Sequence, residues 1–148
     1  MNVTLFDIAQ RFVGVEEVPG QRDNAQILAM LRLDDAWPEH DEVPWCSGFM
    51  NYVAWLLRLP RSKSLAARSW LDVGRPIPLH QAYVGFDVVV LYRGARHGPS
   101  GHVGLYAGIG REEEQVLLLG GNQGNMVSVA PYPEERVIGV RRLHEGGR

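Results

Sequence analysis

The sequence predicts an α+β chain, with a helical half over about 1–75 and a strand-rich half over about 84–143. Three observations predict this order. Before residue 75, apolar residues recur at three- and four-residue spacing. After Ile77-Pro78 the pattern turns to short runs rich in β-branched residues. Spacers carrying Gly, Asn and Pro separate those runs, as in an antiparallel meander. At 148 residues the chain is read as one domain, 1–148.

Leu5, Ile8, Ala9, Phe12 and Val13 form one face of a first helix, with Thr4 as N-cap and Gly14 at its end. Val18-Pro19-Gly20 reads as a turn. Asp23 or Asn24 caps a second helix bearing Ile27, Leu28, Met30 and Leu31. A loop rich in acids and proline, residues 33–44, leads into a third helix from Trp45 to about Leu59, where Pro60 stops it. Ser64 caps a fourth helix from Leu65 to about Val73, closed by Gly74. About five strands follow: Phe86–Arg93, His102–Ile109, Glu114–Gly120, Met126–Tyr132 and Arg136–Arg142.

Composition narrows the chemistry. The chain has 15 Lys+Arg against 17 Asp+Glu, a net charge of -2, so electrostatics gives no reason to expect nucleic acid or an anionic membrane as partner. The single cysteine, Cys46, rules out an intrachain disulfide and a cysteine-rich metal site. No histidine pair has metal-ligand spacing, so neither metal nor cofactor is expected. No stretch approaches the ~18 apolar residues of a membrane span. The start, MNVTLFDIAQRF, lacks the basic and apolar pattern of a signal peptide, so synthesis in the cytoplasm is expected.

Cys46 sits in PWCSGF at the start of the third helix, on the face that also carries Phe49, Met50 and Val53. That face must pack on the sheet. The thiol would then meet the backbone N–H groups of a helix N-terminus, which lower a thiol from its usual ~8.5. The competing reading is an inert, buried thiol. A nucleophile also needs a base. His102, opening a strand in SGHVGLYAGIG, is the candidate, against the alternative of a strand-end histidine facing solvent. The apolar parity of that strand is Val103, Leu105, Ala107 and Ile109. A His102 turned toward the Cys46 helix therefore requires a sheet covered on both faces, for instance by the N-terminal helices. A third polar group should orient the imidazole. GGNQGN offers Asn122 first and Gln123 second, although the same residues suit a plain turn.

Taken together, WCSGFMNYV, GHVGLYAG and GGNQ, in that order with strands between, resemble the NlpC/P60 and CHAP superfamily of cysteine peptidases and amidases. The resemblance extends over DEVPWCSGFMNYV, ARSWLDVG, LLLGGNQGN and RVIGVRR, and is strongest to a small phage- and effector-associated subgroup. It implies a papain-like α+β fold, with a cysteine-bearing helix packed on an antiparallel sheet that carries the histidine. It also implies cleavage of an amide bond in peptidoglycan through a thioester. By motif, Cys46 is the nucleophile, His102 the base and Asn122 the orienting group. Trp45, Gln123 and Glu42 are expected at the substrate. Trp45 stands where relatives often carry an acid just before the cysteine. Of the other tryptophans, Trp37 is weighed for substrate contact, whereas Trp55 and Trp70 are expected in the core.

The partners expected are peptidoglycan and, for an antibacterial effector, an immunity or inhibitor protein; a monomer is expected. Action would be in the periplasm or cell wall, reached by a secretion machine or phage lysis. Two competing functions are a thiol acyltransferase, which calls for an exposed apolar patch, and a non-catalytic wall-binding module of the same fold.

Overall fold

Three short α-helices precede an antiparallel sheet in a computed structural model of the chain, which describes residues 3–17, 24–33 and 45–144. Helix α1 (Leu5–Ala9) starts at Thr4, whose Oγ1 accepts the Asp7 N–H at 3.1 Å while Asp7 Oδ2 accepts the Thr4 N–H at 2.8 Å. These bonds hold the exposed Asp7 carboxyl below its ordinary range. A 3₁₀ turn, Gln10–Phe12, continues α1 to Gly14. Asn24, not Asp23, caps α2 (Ala25–Leu31), its Oδ1 accepting the Gln26 N–H at 2.8 Å. The expected turn at Val18-Pro19-Gly20 and most of the acidic loop lie outside the described residues.

Helix α3 runs Cys46–Leu56, shorter than its apolar pattern predicts. It ends well before Pro60 because Arg58 turns left-handed (φ 57). The fourth expected helix is a 3₁₀ segment, Ala67–Asp72. Ser64 Oγ accepts the Ala66 N–H in the approach to it, but no side chain caps its start.

The six strands are β1 (Arg75–Pro76), β2 (Asp87–Tyr92), β3 (Gly101–Ile109), β4 (Gln115–Gly120), β5 (Ser128–Pro133) and β6 (Val137–Arg142). Their order is β1-β6-β2-β3-β4-β5, antiparallel throughout. Strands β2 to β5 form the expected meander, and β6 returns to the outer side of β2. The additional strand, β1, is only two residues long, below the length at which alternation signals a strand. At Gly74 (φ +79) a Cβ would stand 2.6 Å from the Arg142 carbonyl, so only glycine lets this chain approach β6 so closely. The far end of β2 is pinned by buried Asp87, whose carboxylate takes two 2.8 Å bonds from Arg142.

The sheet is apolar on both faces. Val88, Val90, Val103, Leu105 and Leu119 join Leu5, Phe49, Met50 and Val53 in the core beneath the helices. Val89, Leu91, Val116, Leu118 and Val140 line the other face, covered by Ile77, Leu79, Ala82, Tyr132 and Val137. Two-sided cover is thus present, but the second cover comes from the connection after β1 and from the strands' own aromatic residues. The N-terminal helices belong to the first face.

Candidate active site

Cys46 opens α3, and no side chain caps that helix. The side chain at its N-cap, Trp45, accepts no bond from the first-turn N–H groups. The thiol is 4% exposed. The N–H groups of Val103 on β3, of Ser47 and of Cys46 itself bear on the sulfur and favour its anion, as does the Arg93 charge. Burial outweighs all of these and pushes the thiol above its ordinary value. The expectation of a thiolate stabilised by the helix N-terminus is corrected here: in this closed site desolvation is the larger effect.

His102 lies at the start of β3, paired across the ladder with Leu91 of β2. Cross-strand partners share a face, so His102 belongs to the second face, with Leu91 and Tyr132, and not to the face beneath α3. Cys46 belongs to the cluster beneath the helices, and the N–H of Val103, the residue after His102, bears on its sulfur. His102 is wholly buried. Desolvation is the main cause that holds its pKa down at about 4; the Gln123 bond opposes this, and the charges of Arg93 and Arg136 add to it.

The ring's two nitrogens have different surroundings. Gln123 Oε1 lies 2.8 Å from Nε2. The Gln123 amide is itself oriented, because its Nε2 donates to the carbonyls of Leu118 at 3.1 Å and Ser128 at 2.7 Å. Its NH₂ end is thus committed to carbonyls, and the end facing His102 can only accept. The proton of the neutral imidazole therefore sits on Nε2. The Tyr132 hydroxyl, 3.2 Å from the same nitrogen, offers a second acceptor, with the two rings 5.2 Å apart. Nδ1 is left buried, with a lone pair and no hydrogen-bond partner among the described residues. No hydrogen bond joins it to Cys46 among the described residues.

The sequence-derived site residues separate accordingly. Cys46, His102 and Gln123 gather around β3. Asn122, the first choice as orienting group, makes no hydrogen bond to the ring, whose partners among the described residues are Gln123 and Tyr132. It occupies a left-handed turn position (φ 58) and makes no side-chain hydrogen bond to the described residues. The turn reading of GGNQGN and the orienting reading are both present, on adjacent residues. Trp45 is wholly buried, its indole N–H donating to Glu17 Oε1 at 2.6 Å. A Cβ on Gly121 would lie 2.7 Å from that indole. Trp45 therefore packs against the GGNQ turn and presents no surface to a substrate in this conformation. Glu42 and Trp37 lie outside the described residues. Trp70 is buried as expected, whereas Trp55 is 47% exposed.

Three residues were not assigned a role from sequence. Tyr132 touches the imidazole, and Arg93 stands close enough for its charge to act on Cys46, His102 and Tyr132. Arg136 donates twice to the Tyr92 carbonyl, just before Arg93. Strand alternation offered one signal: Arg93 shares the parity of Leu91, which pairs with His102.

A cysteine-bearing helix set against an antiparallel sheet that carries the histidine is the papain-like α+β arrangement of NlpC/P60 domains, and the comparisons agree. The chain is similar in structure to the P60 domain of an antigen from M. avium subspecies paratuberculosis, with TM-score 0.57 and 22% identity, covering 96% of this chain and 93% of that one. It is also similar to NlpC1 from Trichomonas vaginalis, with TM-score 0.55 and 17% identity over 94% of this chain and 42% of that one. NlpC2 from the same organism gives TM-score 0.55 and 16% identity over 94% of this chain and 45% of that one. The chain thus spans less than half the length of the two Trichomonas proteins. No protein-family model matches the sequence, and no curated protein is significantly similar to it.

No helix among the described residues is long and apolar enough to cross a membrane.

Proposed function

We propose that this chain is a cysteine hydrolase that cleaves an amide bond of the peptidoglycan stem peptide, as an amidase or endopeptidase. One observation carries the reading: Gln123 commits the His102 proton to Nε2, so the buried, unpartnered Nδ1 is a free base beside the strand that meets Cys46. His144 Nε2 is also buried without a partner among the described residues, so what sets His102 apart is the thiol met by the N–H of the next residue, Val103. The choice of peptidoglycan rests on the motif resemblance together with the NlpC/P60 fold.

In the reaction, Nδ1 takes the thiol proton as the Cys46 sulfur attacks the amide carbon. The starting pair is neutral, so the proton moves as the bond forms. The developing oxyanion is met by the uncapped N–H groups at the start of α3, each worth roughly 3–4 kcal/mol in such a role. The imidazolium is steadied by Gln123 Oε1 and the Tyr132 hydroxyl, which accept from Nε2–H. His102 then protonates the leaving amine, and water cleaves the thioester. The setting, an antibacterial effector with an immunity protein or a phage lysis enzyme, is read from the resemblance alone.

A second reading, a non-catalytic module of the same fold, is favoured by the burial of both Cys46 and His102. Digestion of purified sacculi, followed by mass spectrometry of the products, separates the two. Wild-type protein is expected to release fragments with a new peptide terminus, and Cys46→Ala none. Release by Cys46→Ala overturns the cysteine mechanism, and no release by wild type favours the second reading.

A further inference from the structure

Trp55 was expected in the core, yet the structure leaves it at the surface. It lies in the last turn of α3, 47% exposed, beside Leu56 at 41%. The two border a groove of about 820 Å³ that is completed by Arg58, Leu59, Pro60, Arg61 and Lys63. That volume falls within the range of small-molecule sites. Among the described residues every charged side chain of the lining is basic, in a chain whose net charge is -2, and Lys63 is the chain's only lysine. Arg58 and Lys63 are exposed and make no ion pair among the described residues.

The groove is remote from the proposed chemistry. Cys46 opens α3 and Trp55 nearly closes it, which at 1.5 Å per residue sets them about 14 Å apart along the axis. Tyr52, one turn before, supports the indole with its ring 5.9 Å away.

We infer that this groove binds an anionic saccharide, with Trp55 against the C–H face of a sugar ring and Arg58 and Lys63 on its carboxylates. A flat aromatic surface beside cations suits a chain of rings bearing separated negative charges. Three cations on an otherwise weakly acidic protein make a poor footprint for duplex DNA or an anionic bilayer, which reward broad basic surfaces. The choice of saccharide rests on the amidase form of the peptidoglycan reading: once the amide between sugar and stem peptide is cut, the glycan strand bears free lactyl carboxylates. The groove would then hold the polymer near the enzyme and raise the local concentration of further stems.

Binding of peptide-free glycan strands to full-length Cys46→Ala protein tests this without cleavage. Affinity is expected to fall about tenfold in Trp55→Ala and in Arg58→Gln/Lys63→Gln, to weaken with salt, and to be lost for neutral chito-oligosaccharides of equal length. These surface changes leave the core untouched, and circular dichroism checks the fold. Equal binding by parent and variants overturns the inference. So does binding of neutral strands as tight as anionic ones, or tighter binding to a 20-base-pair DNA or to phosphatidylglycerol vesicles. Cleavage of short soluble muropeptides by wild-type protein, measured alongside, tests the hydrolase reading separately.

Discussion

Two buried polar clusters lie within one turn of each other on α3, and they are built on opposite terms. In the first, Ser47 Oγ accepts the Trp70 indole N–H at 2.9 Å and donates to the Ser64 carbonyl. Asn51 Oδ1 accepts the Lys63 N–H at 2.8 Å, and its Nδ2 reaches Ser47, Ser62 and Ser64. Every side-chain polar atom there has a partner, so the cluster can do nothing except hold the 62–64 segment and Trp70 against the helix. In the second, Cys46 and His102 are just as buried, yet Nδ1 has no partner and both groups are held neutral against their tendency to ionise. Burial alone does not distinguish a structural group from a reactive one. An unspent lone pair does so only beside a second reactive group, since His144 Nε2 is also buried without a partner among the described residues.

The largest contrast is expected from removing the base. His102→Ala should lower peptidoglycan cleavage by at least about 10³-fold while circular dichroism stays that of the wild type. A loss under tenfold would return His102 to a packing role.

Next comes pH. His102 is held at about 4, against 6.5 for the free group. Above pH 6.5 neither folded nor unfolded chain binds this proton, and the full stability is present. As pH falls the unfolded chain protonates first, and stability is lost down to about pH 4. For this one buried group the loss is about 3 kcal/mol. Urea unfolding at pH 7 and pH 4.5 should show a steeper decline for wild type than for His102→Ala; parallel declines would mean the buried ring is not held neutral.

The structural cluster should respond differently. Asn51→Ala strands the Lys63 N–H and leaves the Ser64 carbonyl to the Ser47 and Ser62 hydroxyls, costing about 1–3 kcal/mol of stability with no pH dependence of its own. Its effect should appear in the urea midpoint, not in turnover per folded molecule.

The smallest step sharpens the boundary between two neighbours. Gln123→Ala removes the acceptor for Nε2–H and should slow cleavage about 10–100-fold, the worth of one hydrogen bond to a charged group. Asn122→Ala should change the rate less than about twofold. Steady-state rates on one muropeptide decide between them, and the reverse order would restore Asn122 as the orienting residue.

Much of the fold was legible because local rules govern it. Thr4 and Asn24 cap their helices by short-range hydrogen bonds, and the five longer strands announce themselves by β-branched runs and turn residues. Burial patterns were legible where they follow a period, and Trp55 escaped because the buried face of α3 ends at Ala54, leaving Trp55 and Leu56 exposed. From sequence Asn122 ranked above Gln123, although either amide can orient a ring. The turn geometry chose between them by placing Asn122 in a left-handed position and turning Gln123 inward.

Sequence alone determined which groups are available: one thiol at a helix start, one imidazole at a strand start and an amide-bearing turn after the next strand. Only the tertiary structure decided their state. It placed His102 on the face away from α3, brought Tyr132 and Arg93 to it, and buried both it and Cys46. The reason is physical: hydrogen-bond capacity belongs to the residue, but desolvation and proton position depend on what the whole chain packs around it.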